Sequence, residues 1–415
     1  MAGGQIKVLP LDRETAVAGP ATGPGVRRAT VTFVAATLVD AVGTGCFLAG
    51  SAIFFTRQVG LTPGQVGFGL SLSAGIGLLA TIPVGRLADR LGAKRVLVVL
   101  LLLRAIGFLG YATVASFPAF VAVSALLGLA EKPTSPVQQA LIAEVVTVEQ
   151  RQRLLALTRA VRNMGFGGGA LLTGLLLIPG FPLGLTAIVA VNAVSFLVSA
   201  VVMTGVRAAP GGTVATISRR TWRLRDARYL RLTAVNGVLT LHMSLLSTAV
   251  PLWILHSTNL PAQVIPALVL LNTVLAVVLQ VPVAGLVRTD THARRMLGMA
   301  GSALAVCCLL LGTLPRLGLV AAMAAVVSAM LALTVAELTQ AAGGWDLSFR
   351  LAEGSRRGQY LSVFSLGVTM QTIVGPWLLT SVVITIGPPG WVALAGALAI
   401  TGVLAHTVAR RPRRG

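Results

Sequence analysis

Apolar runs of about 20 residues recur along this chain, and short clusters of cations separate them. A helix of that length, rising 1.5 Å per residue, spans the hydrocarbon core of a bilayer. Lipid offers no partner to open backbone groups, so runs of this kind are expected to be helical. Twelve such spans are predicted, at roughly 30–55, 63–85, 96–115, 118–145, 155–178 and 183–205, then 230–255, 262–287, 296–314, 317–342, 359–386 and 391–409. The fold class that follows is an all-α integral membrane protein. Only 11% of the residues are charged, yet the formal net charge is +21, and the placement of that charge carries information.

With the amino terminus in the cytoplasm, 29 of the 33 basic residues fall on one side of the membrane. They are Lys7, Arg13, Arg27 and Arg28 before the first span, Arg86, Arg90, Lys94 and Arg95 after the second, and Arg151, Arg153, Arg159 and Arg162 around the start of the fifth. The central loop adds Arg207, Arg219, Arg220, Arg223, Arg225, Arg228 and Arg231. Arg288, Arg294 and Arg295 follow, then Arg350, Arg356 and Arg357, and finally Arg410, Arg411, Arg413 and Arg414. Arg57 and Arg316 fall on the other side, while Arg104 and Lys132 lie within spans. This is the positive-inside pattern, and it places both termini in the cytoplasm. It also accounts for the basic charge without a nucleic-acid partner, because no segment outside the membrane is long enough to form a contiguous basic face. A basic rim facing anionic lipid is the remaining consequence.

The expected organisation is a flexible cytoplasmic segment (1–28), a six-helix bundle (29–205), a cytoplasmic linker (206–228), a second six-helix bundle (229–409) and a basic tail (410–415). The first 28 residues have no apolar core of the signal-peptide type, and Ala2 breaks the myristoylation pattern. Cys46, Cys307 and Cys308 all lie inside spans without metal-ligand spacing and read as small packing residues. Arginine outnumbers lysine 30 to 3, which associates the chain with GC-rich bacteria and hence with a bacterial inner membrane. No nucleophile–base pair, metal cluster or Walker motif is visible, so neither an enzyme nor an ATP-driven pump is expected, and no metal or cofactor.

The two halves echo each other. Val84 to Leu97 has a counterpart 200 residues later, Ala284 to Leu297, in which Gly85 matches Gly285, Ala93 matches Ala293, Lys94-Arg95 matches Arg294-Arg295 and Leu97 matches Leu297. Pro63-Gly64-Gln65-Val66 has a similar echo in Pro261-Ala262-Gln263-Val264. Two parallel six-helix pseudo-repeats suit a transporter whose site lies between them.

The stretch Gly85-Arg86-Leu87-Ala88-Asp89-Arg90-Leu91-Gly92-Ala93-Lys94-Arg95 resembles the loop signature between spans two and three of the major facilitator superfamily. With twelve spans, the resemblance covers residues 29–409. It implies the major facilitator fold and groups the chain with twelve-span drug and metabolite exporters. Read as residues, Gly85 and Gly92 permit close packing and a tight turn, and Asp89 can pair with Arg90, Lys94 or Arg95 or cap a helix. The resemblance further implies that Asp89 latches the halves through the start of span eleven, here Arg356 to Tyr360. In the second copy Thr289 stands at that position, beside Asp290.

Ionisable groups within spans are costly, about 2.5–3.5 kcal/mol each even on a lenient scale, and so are functional candidates. Asp40, about ten residues into span one, has no cation in its span and can carry a proton or pair with a cationic substrate. Glu131 and Lys132 sit in Glu131-Lys132-Pro133-Thr134-Ser135-Pro136, where two prolines should kink or unwind span four. The two charges point about 100° apart on a helix, so each needs a partner elsewhere, Lys132 with Asp40 being one pairing. The family resemblance offers Lys132 as a stand-in for an arginine of span four linked to proton transfer. Arg162 shares a face with Arg159 and Asn163 and either reaches Asp40 or an anionic substrate, or snorkels to the surface. Glu144 and Glu337 are expected near the cytoplasmic ends of spans four and ten, paired with loop arginines, and His242 is a relay candidate.

Efflux members of the family carry a glycine- and proline-rich stretch in span five. Here Gly165, Gly167, Gly168 and Gly169 are present without the proline, while Gly375-Pro376 occurs in span eleven. Gly165, Gly169, Gly375 and Pro376 are thus helix-packing candidates. The expected function is proton-coupled export of a small lipophilic or amphipathic compound through a cavity with few charges. Import by proton symport and a non-transporting scaffold are the alternatives. The expected partners are a small molecule, protons and membrane lipids, around a monomer driven by the proton gradient.

Overall fold

The computed structural model describes residues 24–145, 148–178, 184–206, 226–352 and 357–407. Twelve helical spans and no strand occur among the described residues. The first six are α1 (Pro24–Ile53, continued by a π-helical turn Phe54–Gln58), α2 (Pro63–Leu91), α3 (Ala93–Ala112), α4 (Phe117–Val145), α5 (Val148–Leu176) and α6 (Thr186–Thr204). The last six are α7 (Ala227–Ser257), α8 (Val264–Gly285), α9 (Asp290–Thr313), α10 (Leu319–Leu351), α11 (Arg357–Trp377, continued by the π-helical stretch Leu378–Ile384) and α12 (Pro388–Ala405). Ten are long and apolar enough to cross a membrane by length and composition. The other two, α4 and α5, are 29 residues each. The terminal segments, the arginines 207–225, Arg356 and the side chains of Arg27, Arg151, Arg153, Arg159 and Arg357 lie outside the described residues.

Helix ends follow local chemistry. Thr62 and Gln65 form a reciprocal capping box ahead of Pro63, at 2.9 and 3.3 Å. Asp226 caps α7 through the amides of Arg228 (2.9 Å) and Tyr229 (3.3 Å). Gly92, with φ of 91°, makes the turn between α2 and α3 that an L side chain would strain.

In the first set α1 lies against α5 and α6, α3 against α4 and α6, and α2 against α4. In the second, α9 packs between α10 and α12, α8 against α10, and α7 against α11. Buried rings of Phe55, Phe108, Tyr111, Phe120 and Phe196 fill the first set, with Tyr111 Oη hydrogen-bonded to Ser124 Oγ at 2.9 Å. Trp253 and Trp391 fill the second, the Trp253 indole donating to the Leu311 carbonyl at 2.8 Å. The three cysteines are buried and free.

Glycine lets α1 and α5 touch backbone to backbone. A Cβ on Gly45 would run into the Phe166 backbone, and one on Gly169 into the Val42 carbonyl and the Cys46 amide. Gly165 sits against Ala41 in the same way, and Thr173 Oγ1 donates across the crossing to the Cys46 carbonyl at 2.8 Å. Gly169→Val is therefore expected to destabilise the protein by about 1–3 kcal/mol through overpacking, read as a lower Tm in detergent micelles.

Of the kink or unwinding expected in span four, the unwinding needs correction. α4 runs on as a helix through Pro133 and Pro136 and is not unwound there. The interruption lies in α7, which breaks at Thr240 and Leu241 and then widens into a π-helical turn over Leu245–Ala249. Pro251 explains the widening: it lacks an N–H, and its ring crowds the carbonyl one turn upstream.

Candidate functional site

A cavity of about 640 Å³ lies between the first six helices and the last six. α1 supplies Thr44, Phe47, Leu48 and Ser51, which follow the helical period. Three charged side chains come from the first set, Arg104, Glu131 and Lys132. His242 and Glu337 face them from the second. Amides at Asn163, Asn192, Asn272, Gln280 and Gln371 complete the polar part of a lining whose accessible surface is mainly apolar.

On the second-set wall, Asn272 Nδ2 donates to Glu337 Oε2 at 2.9 Å and lies 3.0 Å from Thr334 Oγ1. His242 Nδ1 lies 3.1 Å from the Leu239 carbonyl, and its ring is close enough to Glu337 to feel that charge. His242, Ser244 and Ser247, which follow the break in α7, line the cavity. Gln371 Nε2 donates to Ser244 Oγ at 2.6 Å, tying α11 to the broken segment. Gly375 leaves room for that pair, since a Cβ there would come within 2.7 Å of both partners.

On the first-set wall, Glu131 is exposed to the cavity and the Lys132 stem lies over Gly77 of α2. Asp40 does not line the cavity. It accepts a hydrogen bond from Thr44 Oγ1 at 3.2 Å, one turn further along the same stripe of α1. Arg162 is exposed and outside the cavity, whereas its neighbour Asn163 lines it. No ion pair joins Asp40 to Lys132 or to Arg162 among the described residues. The ion pairs found there, Arg350 with Asp290 (3.7 Å) and with Asp346, lie at the end bearing the basic loops.

Glu337 needs correction: it belongs to the cavity wall and not to a helix end. α10 continues as far as Leu351, past the expected end near 342, so Glu337 falls near mid-span. Glu144, also assigned to loop arginines, accepts the Ala93 amide at the start of α3.

The loop 85–95 is at the basic end. A Cβ on Gly85 would meet nothing within 4 Å, so close packing is not its role in this conformation. Lys94 Nζ donates to the Thr204 carbonyl at 2.7 Å, capping the carboxyl end of α6. Lys94→Ala should cost about 0.3–1 kcal/mol by removing that cap, measurable as a small fall in Tm. Asp89, Arg90 and Arg95 are exposed, and no ion pair holds Asp89 among the described residues. In the second copy Thr289 caps α9 through the His292 amide at 3.2 Å.

The two sets meet at the opposite end. Gly67 of α2 faces Thr380 and the Pro376 carbonyl of α11, and the Trp377 amide donates to Ser71 Oγ at 3.0 Å. Gln263 Nε2, just before α8, donates to the Leu177 carbonyl just after α5 at 3.1 Å. Toward the basic end α2 and α8 leave apolar side chains uncovered, Leu79 being 77% and Val281 74% exposed.

Ten helices long and apolar enough to cross a membrane, with two further helices packed among them, surround a cavity lined by charged side chains and define a polytopic membrane protein. Within that class, the chain belongs to the major facilitator superfamily, whose profile matches residues 33–344. This is a family of transporters and not of enzymes. The uncharacterized MFS-type transporter YdeE of Escherichia coli is 24% identical over 141 residues, 34% of this chain and 36% of its own length. YqjV of Bacillus subtilis, likewise an uncharacterized MFS-type transporter, is 26% identical over 141 residues, 34% of each chain. The match thus spans about a third of these relatives. The nucleoside transporter NupG superposes with a TM-score of 0.74 at 12% identity, covering 92% of this chain and 100% of that one. A D-xylose-proton symporter gives 0.72 at 14% identity, covering 93% and 98%. At such identities the superpositions speak for the fold alone.

Proposed function

We propose that the protein is a secondary active transporter of a bacterial inner membrane, exporting a small amphipathic compound in exchange for protons. The observation that carries this is the cavity wall: ionisable groups face each other across the two six-helix sets at mid-membrane, without ion pairs among the described residues. Such groups are costly in a membrane and are retained where they bind or relay charge. The first set (29–205) and the second (229–409) are the moving halves, joined by the 206–228 linker. With the basic loops in the cytoplasm, the end where α2 meets α11 is the outward one, and an exporter loads its cargo from the other. Glu131 and Glu337 are the first candidates for proton coupling, and Asp40 stands one turn from the cavity as a third. The glycine-rich stretch Gly165–Gly169 in the second half of α5 supports export as the direction.

Import by proton symport is the second reading, favoured by the ionisable and amide side chains in the lining. Inside-out vesicles acidified in the lumen separate the two. Proton release on adding a compound, abolished by Glu337→Gln, supports antiport. Uptake of a labelled solute by right-side-out vesicles under an inward proton gradient, with no such release, replaces it with symport.

A further inference from the structure

Arg104 on α3 is 9% exposed and forms part of the cavity wall. Its guanidinium stacks on the Phe196 ring of α6, with Cζ 3.8 Å from the ring centre. Stacking occupies the flat face of the guanidinium and leaves its fork of N–H donors at the edge. The Arg104 Nε is buried without an acceptor, and no carboxylate pairs with the side chain among the described residues. One turn from Phe196 on α6, the fully buried Asn192 also lines the cavity, and its Nδ2 has no acceptor either. The wall contributed by α3 and α6 thus holds a fixed cation and unfilled donors with no anion beside them. Glu131 of α4 lines the same cavity but forms no ion pair with Arg104.

A buried charge and buried donors without partners are costly, and a native membrane protein keeps them where a ligand completes the set. We propose that Arg104 is the anion-binding residue of the cavity, and that the cargo is an amphipathic organic anion. Its carboxylate takes the guanidinium edge beside Asn192, in the two-pronged geometry that arginine offers and an ammonium does not. Its apolar body lies against Phe47 and Phe108, whose rings pack edge to face at 4.7 Å beside Arg104. This inference rests on the reading of the cavity as a transport site and gives that site its substrate class.

The test uses the whole protein in lipid nanodiscs, with thermal unfolding followed during titration by phenylbutyrate, phenylbutanol and phenylbutylamine. Phenylbutyrate is expected to raise Tm saturably, with an apparent Kd about tenfold or more below that of the alcohol and the amine. Arg104→Gln should abolish the preference, Arg104→Lys should retain part of it, and Lys94→Ala, outside the cavity at the end of α6, should leave it intact. Equal responses to the three probes, or no response to any, would overturn the proposal, and so would a preference lost in Lys132→Gln but kept in Arg104→Gln. The wild-type comparison decides the matter even if Arg104→Gln fails to fold. Proton release in vesicles driven by the amine or alcohol but not by phenylbutyrate would sink the anion site and leave the transport reading standing. Selective phenylbutyrate binding with no proton-coupled movement of any compound would sustain the anion site and sink the transport reading.

Discussion

Cysteines at Gly64 and Ser381 are expected to form a disulfide that stops transport, with activity returning on reduction. A Cβ on Gly64 would stand 3.5 Å from Ser381 Oγ, where the sulfur of a cysteine at that position would lie, so sulfurs on the two positions come within reach of the bond of about 2.0 Å that a disulfide requires. The pair sits where α2 meets α11, beside the Gly67 contact with Thr380 and Pro376. If the halves rock about the cavity, this end must part for cargo to leave, and a covalent bond across it holds the protein open to one side only. Cys46, Cys307 and Cys308 are buried and do not compete for oxidation. Gly64→Cys and Ser381→Cys singly should transport normally, since a side chain at Gly64 meets no other atom within 4 Å. Vesicle transport before and after dithiothreitol, with cross-linking scored in parallel, checks this. Undiminished flux through a fully cross-linked protein would mean that the α2–α11 contact is not a gate.

The positions of the helices were legible because each apolar run must match one bilayer thickness, and that requirement is local in sequence. The turn at Gly92 was legible for the same reason, its chemistry lying within a few residues. The site was less so. Glu131 and Lys132 could be located near the middle of a span, and they do line the cavity. Glu337 was misplaced because hydropathy does not mark where α10 stops, and the helix runs on through the polar stretch to Leu351. The break in α7 left only one local trace, Pro251, whose effect falls a turn upstream of itself. Arg104 could be seen as a cation within a span, but its ring partner Phe196 lies three helices away. Only tertiary packing brings the two together.

Glu337→Gln is expected to reduce proton-driven flux by about 100-fold, within the range typical of removing a proton-transfer group, while cargo exchange without a proton gradient persists. Glutamine keeps the volume of the side chain and can still accept from Asn272, which donates to Glu337 Oε2 at 2.9 Å. What it cannot do is change charge. In an exchanger, proton and cargo must alternate on linked groups, and Glu337 lies beside His242 across the cavity from Arg104 and Glu131. Asn272→Ala acts differently: the carboxylate stays but loses a charge-assisted hydrogen bond, a cost of about 1.5–3 kcal/mol. Flux should then fall but remain driven by protons. Asp40→Asn, one turn from the wall, should have the smaller effect of the two acid-to-amide changes. Proton-driven flux and counterflow are measured side by side in proteoliposomes for each variant. Equal loss of both in Glu337→Gln would show that Glu337 holds cargo and not protons, and would move the coupling role to Glu131.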